Sequence, residues 1–251
     1  LKIARDIYLV GDGQLRLSNR LDCHIYLIDG GRLKALIDCG AGVEPERIVA
    51  NIREDGLDPK GLDLVILTHS HPDHAGGAKF FQEECGAEIL VPEPEQKFLE
   101  APQPELEEAI QITKRTGIYP EDYQFTYCKA DRALKDQETL DLGRYQVQVI
   151  VVPGHSPGIA ALLLTGEGRR ALFSSDILFF GGTIGLGNWP TSSLKQYREN
   201  IGRLAGLRVE ELYPGHFLWT LEAGQEHIDR AVEALQLAWP PPMWSHQHPA
   251  Y

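Results

Sequence analysis

The densest group of chemically active side chains is Thr68-His69-Ser70-His71-Pro72-Asp73-His74-Ala75-Gly76-Gly77, which puts three imidazoles and a carboxylate in one short polar loop. Neutral imidazole nitrogen and carboxylate oxygen are good ligands for zinc, and they also accept iron or manganese. Alternate residues of an extended loop point the same way, so His69 and His71 can grip one ion while Asp73 and His74 face a neighbouring position. A solvated polar loop would account for the composition but not for the spacing. Four groups from one loop do not close two coordination spheres, so further His and Asp are expected at the ends of other strands. The chain supplies His155 in Val152-Pro153-Gly154-His155-Ser156-Pro157-Gly158, Asp176 after Ser174-Ser175, and His216 in Tyr213-Pro214-Gly215-His216. Each alone reads as a turn or cap residue; together, behind the histidine loop, they complete a set for two ions. Two divalent ions sharing a water lower its pKa, and one of them can polarise a carbonyl, which suits ester hydrolysis. Asp73 is also a candidate catalytic group: with one oxygen on metal, the other is free to hold the attacking water or take its proton.

These groups need rigid strand ends to hold them. Residues 62–67 (LDLVIL) are apolar at nearly every position, as expected of a strand covered on both faces, and lead straight into the histidine loop. Strand patterns also occupy residues 7–10, 24–28 and 33–37, an expected antiparallel meander, and then 145–152, 160–165, 171–174 and 209–213. Pro45 suits a helix start, with Ile48, Val49 and Ile52 on one face and Gly56 as the stop. A second helix is expected over residues 74–85, and helical spacing returns at Leu194, Tyr197, Ile201 and Leu204 and at Ile228, Ala231, Val232 and Leu235. Between residues 92 and 132 the pattern weakens into a helical insertion rich in carboxylates and aromatics. It could either cap the metal groove or pack outside it. Residues 222–251 form a C-terminal helix and tail, so all of 1–251 reads as a single domain of α/β class.

In order and spacing these elements resemble the metallo-β-lactamase superfamily of metal-dependent hydrolases, over residues 7–216. The resemblance implies a four-layer αβ/βα sandwich with metals in a groove along one edge of two sheets. Carried over by position, it implies His69, His71 and His155 on a first metal, Asp73, His74 and His216 on a second, Asp176 bridging both, and a water or hydroxide between the ions as nucleophile. Penicillin-hydrolysing members of the best-known subgroup carry Cys in place of Asp176 and usually lack a ligand at His74. The pattern is closer to the glyoxalase II and lactonase branches, which implies cleavage of a small thioester, ester or lactone. Glyoxalase II usually adds a sizeable helical C-terminal domain, which the few residues after His216 do not provide. Ser175 stands where relatives usually have Gly. A mononuclear iron persulfide dioxygenase is an alternative reading, although residues 181–185 (GGTIG) match that branch poorly. A non-catalytic metal-stabilised scaffold or redox partner is another. Phe179, Phe180 and Trp189, on the Gly-rich segment after Asp176, could wall the groove for an acyl or aromatic substrate or pack beneath the loop. Of the nine histidines, His24 reads as a core or groove residue, His227 as surface, and the His246/His248 pair as part of a packing or partner-contacting tail.

Composition narrows the partners. The chain has 251 residues, 43% hydrophobic, and a formal charge of −12, so its average surface would not attract a phosphate backbone. A small-molecule substrate is expected, with neither nucleic acid nor membrane, and homodimer formation is left open. No apolar run reaches the roughly 18–20 residues of a membrane-spanning helix. The four cysteines form no C-x-x-C pair and read as reduced core thiols of a cytoplasmic protein. The only methionine is Met243 and the chain opens at Leu1, so the native start is expected to lie outside this sequence.

Overall fold

In the computed structural model, which describes residues 1–239, 242 and 243, period-two alternation along the strands builds two sheets with three buried layers. The first sheet runs in order β1 (Lys2–Ala4), β2 (Ile7–Gly11), β3 (Ile25–Asp29), β4 (Lys34–Ile37), β5 (Leu64–Ile66), β6 (Glu88–Pro92) and β7 (Arg132–Leu134). It is antiparallel through β4 and parallel from there on. The second sheet contains β8 (Thr139–Asp141), β9 (Gln146–Val151), β10 (Ala160–Gly166), β11 (Arg169–Ser175) and β12 (Glu211–Pro214), with β12 beside β11 and in parallel to it.

Along β10, Leu162 and Leu164 face the first sheet, joining Leu9, Ile28 and Ile37 in the central core. Ala161 and Leu163 face outward onto α6 (Leu194–Asn200) and α7 (Gly224–Gln236), with Tyr197, Ile228 and Ala231. On the far side, Leu27, Leu36 and Val65 meet Ile48 and Ile52 of α1 (Pro45–Glu54). This is the four-layer αβ/βα arrangement that the family resemblance implies. Each fully buried aliphatic side chain stabilises it by about 1.5–3 kcal/mol before entropy is counted. Residues 62–67 behave as read: Leu64 and Ile66 enter the central core, Val65 and Leu67 the outer one.

The second expected helix is broken into α2 (Pro72–Ala75), α3 (Ala78–Phe80) and a π turn over Phe81–Cys85. The break falls at Gly76 and Gly77: the Gly77 NH donates to the Gly40 carbonyl at 3.0 Å instead of within the helix, and a Cβ there would lie 2.2 Å from the carbonyl oxygen of Cys39. The chain beyond the histidine loop therefore passes directly against the end of β4. The 92–132 segment holds α4 (Gln96–Glu100) and α5 (Pro104–Arg115) but is irregular from 116 to 131. β1, β6, β7 and β8 were not legible as strands; β1, β7 and β8 are three-residue elements, too short for alternation to register. All four cysteines are free, with Cys85 half-buried and the others buried. Among the described residues no helix is long and apolar enough to cross a membrane.

Candidate metal centre

The centre lies where the strands of both sheets end. β5 delivers residues 68–71, and α2 begins at once with His71 as its N-cap and Pro72 in its first turn. The backbone NH groups of His74 and Ala75 both donate to the His71 carbonyl, at 3.1 and 2.9 Å, which turns Asp73 and His74 back toward the strand ends. The loop after β9 supplies His155, the end of β11 supplies Asp176, and the end of β12 supplies His216. One ligand atom each from His69, His71 and His155 lies within 4.8 Å of the others. The same holds for Asp73, His74 and His216, and for His69, His74 and Asp176. Asp176 sits between the two outer groups: Oδ1 is 3.5 Å from His74 Nε2, while Oδ2 is 3.6 Å from both His155 Nε2 and His216 Nε2. All seven predicted residues are thus at one place.

Their orientations are fixed by neighbours to which the sequence reading gave no such role. Asp38, just past β4, accepts from His74 Nδ1 at 2.8 Å and from the Thr68 amide and hydroxyl. That bond points His74 Nε2 at the cluster. Ser175 has φ +48°, a left-handed conformation that explains why glycine is usual there. Its hydroxyl meets that of Thr68 at 2.7 Å, linking the two sheets beneath the site. His24 is core, as read: its Nδ1 lies 3.0 Å from the Pro214 carbonyl, and its backbone NH donates to Gly215 O, steadying the turn that carries His216. A Cβ on Gly215 would lie 2.4 Å from Asp176 Oδ1, so only glycine leaves the cluster open.

Glu95 is the other missed residue. It follows β6 in a 3-10 turn and is 1% exposed. Its carboxylate accepts from Ser156 Oγ and Gly158 N, both at 2.7 Å, and from Ser70 N at 3.1 Å; its carbonyl accepts from Ser70 Oγ. One buried side chain therefore ties together the two loops that present His69, His71 and His155.

The electrostatics differ between the two outer groups. Burial, then the neighbouring imidazoles, depresses His69 far below the ordinary histidine range and pulls His71 down to about 3; His155 is lowered too, again by burial first. These three rings present neutral lone pairs. Burial also opposes charge on His74 and His216 but is outweighed, on His74 by Cys23 and then by Asp176, Asp73 and Asp38, and on His216 by Asp176 and Asp73. Asp73 and Asp176 are correspondingly held below the usual carboxylate range, burial being overcome by His74 and His216. Three atoms aimed into the cluster, His69 Nε2, His74 Nε2 and Asp176 Oδ1, are shielded from solvent without a hydrogen-bond partner among the described residues. Buried polar atoms are seldom left so. Divalent cations held in the cluster would satisfy these atoms, and the His/Asp donor set suits such ions.

The cluster opens into a groove of about 1120 Å³ whose lining includes Phe179, Trp189, Phe217, Ile110, Ile112 and Tyr119. Trp189 stands edge-on to His71 and His155, with ring centroids 5.6 and 5.5 Å away. Phe180 is a correction. The chain turns at Gly181 (φ +83°), and Phe180 packs on His227, 4.2 Å between centroids, away from the groove lining. His227 is accordingly buried rather than on the surface, and it accepts from the Gly181 NH at 3.0 Å. The 92–132 segment forms a groove wall through α5 and Tyr119. The Asp73 oxygen expected to be free instead accepts from the Tyr119 hydroxyl at 2.9 Å. His246 and His248 lie outside the described residues.

Residues 18–216 match the family model of the metallo-beta-lactamase superfamily. The chain belongs to that superfamily. Among similar proteins, the acyl-coenzyme A thioesterase MBLAC2 of Gallus gallus is 29% identical over 210 residues, covering 77% of this chain and 72% of that protein. The hydroxyacylglutathione hydrolase GloC of Haemophilus influenzae is 30% identical over 162 residues, 64% of this chain and 68% of that protein. The native FEZ-1 metallo-beta-lactamase from Legionella gormanii superposes with a TM-score of 0.70 at 19% identity, over 94% of this chain and 93% of that one. That last likeness establishes the metallo-beta-lactamase fold alone.

Proposed function

We propose that this chain is a dinuclear metal-dependent hydrolase that cleaves a small thioester, ester or lactone. The observation that carries the reading is the convergence of His69, His71 and His155 with Asp73, His74 and His216 around Asp176, at the floor of one groove. In this reading His69, His71 and His155 hold one cation, Asp73, His74 and His216 hold another, and Asp176 serves both. The imidazole and carboxylate donors favour zinc, with iron and manganese as the other candidates. Bound divalent cations would supply a water acidified toward neutrality and an electrophile for the carbonyl. The choice of thioesters draws on the similarity to a thioesterase and a hydroxyacylglutathione hydrolase.

The protein's own groups bind and orient. Asp73 Oδ2 faces His216 Nε2 at 3.3 Å and His74 Nε2 at 3.7 Å, while Oδ1 is held by Tyr119. Asp73 is then held in one rotation, with neither oxygen free, so a hydrogen bond from the attacking water would have to use the second lone pair of an engaged oxygen. Trp189 and Phe179 exclude water from one side of the reacting carbonyl and give the acyl group an apolar surface.

A panel of thioesters and lactones, assayed after zinc loading, tests the reading. Hydrolysis is expected in the wild type, with Asp73→Ala and His155→Ala each losing at least about 100-fold in kcat/KM, or roughly 3 kcal/mol of transition-state stabilisation. Activity untouched by both substitutions would sink it. One iron per chain with oxygen consumption on a persulfide would transfer support to the dioxygenase reading.

A further inference from the structure

Tyr119 reaches the cluster from the irregular stretch that follows α5. Gly117 (φ +77°) reverses the chain there, and the NH groups of Ile118 and Tyr119 return to the Thr113 carbonyl. The Tyr119 ring is 5% exposed and stacks on Tyr123 at 4.8 Å between centroids. The Tyr123 hydroxyl in turn donates to the Ala41 carbonyl at 3.0 Å, and the two rings share a small apolar cluster with Leu21 and Ala41. The phenol is therefore held firmly at a fixed place. From there it donates to Asp73 Oδ1 at 2.9 Å. A carboxylate accepts but cannot donate, so this bond has one direction and fixes the rotation of the carboxylate.

We infer that Tyr119 is a positioning residue for Asp73: its hydroxyl commits Oδ1 and so presents Oδ2 alone to the cation shared with His74 and His216. The inference rests on the two-cation reading above. Its physical basis is that hydrogen bonds to a metal-binding carboxylate set its orientation, and losing one typically costs about 10–100-fold in metal affinity. A residue serving only as groove wall would show no such effect, because phenylalanine would fill the same space.

The test compares wild type, Tyr119→Phe and Asp73→Asn. Stepwise zinc affinities are measured by competition with a chromophoric chelator, alongside thermal unfolding of the metal-free proteins and kcat and KM on a thioester. Phenylalanine keeps the ring, the stack and the volume. Tyr119→Phe is expected to weaken one of two zinc steps by about 10–100-fold, and that step is the one Asp73→Asn also weakens. The other step and the melting temperature should stay at wild-type values, and kcat should fall more than KM changes. Two unchanged zinc steps in Tyr119→Phe, or weakening of the step that Asp73→Asn leaves intact, would overturn the inference while the two-cation reading stands. A lower melting temperature with both affinities retained would likewise overturn it, marking Tyr119 as wall. A wild type that binds fewer than two zinc ions would overturn both.

Discussion

Replacing Asp176 with alanine is expected to remove a cation from the centre and lower kcat/KM for the preferred thioester by about 1000-fold or more, equivalent to roughly 4 kcal/mol. Asp176 is the residue whose oxygens face both outer groups, with His74, His155 and His216 all within 3.6 Å. Without it the two sets keep their other members but lose the anion between them. His69, His71 and His155 still offer neutral nitrogens, so one cation should remain. His74 and His216 lose the carboxylate that does most to offset burial on His216 and that ranks next after Cys23 on His74. Metal content measured beside kinetics checks both parts. Retention of two ions with near wild-type turnover would contradict the central place given to Asp176.

The second large effect is on stability. Truncating Glu95 to alanine leaves three buried donors, Ser156 Oγ, Gly158 N and Ser70 N, without their acceptor. Each unsatisfied buried donor costs about 1–3 kcal/mol, so a loss of about 3–9 kcal/mol is expected. For a chain of this length that lowers the melting temperature by about 6 °C or more. Glu95→Gln keeps the shape and an acceptor oxygen, and should lose distinctly less. Because the freed loops carry His69, His71 and His155, Glu95→Ala should also weaken the cation held by those three. Thermal unfolding of the metal-free variants checks the first effect, and a change of a degree or less would refute it.

The part of the centre that was legible in the sequence is the part that chain-local chemistry encodes. Residues 69–74 carry their own spacing, and His155, Asp176 and His216 each stand directly after an apolar run that ends in Gly, Pro or Ser. A strand end is a rigid place for a ligand, so reading strands located the site. Asp38, Glu95 and Tyr119 carry no such mark, and Ser175 is marked only by standing where relatives usually have Gly. Their roles come from contacts across distant parts of the chain, such as Glu95 to Gly158 and Thr68 to Ser175, which exist only once the sheets have stacked. Phe180 and His227 were misplaced for the same reason: a left-handed glycine between Phe179 and Gly182 redirects the chain onto α7. The long strands were legible as strands and their arrangement in two sheets came from the family resemblance, whereas the three-residue edge strands β7 and β8 depend on partners rather than on pattern.

The most direct test is to strip the chain of metal and follow thioester hydrolysis as zinc is titrated back. The account predicts no turnover in the stripped protein and activity that rises to a plateau at two zinc ions per chain. Full activity before any zinc is added, or a plateau reached at one, would contradict it.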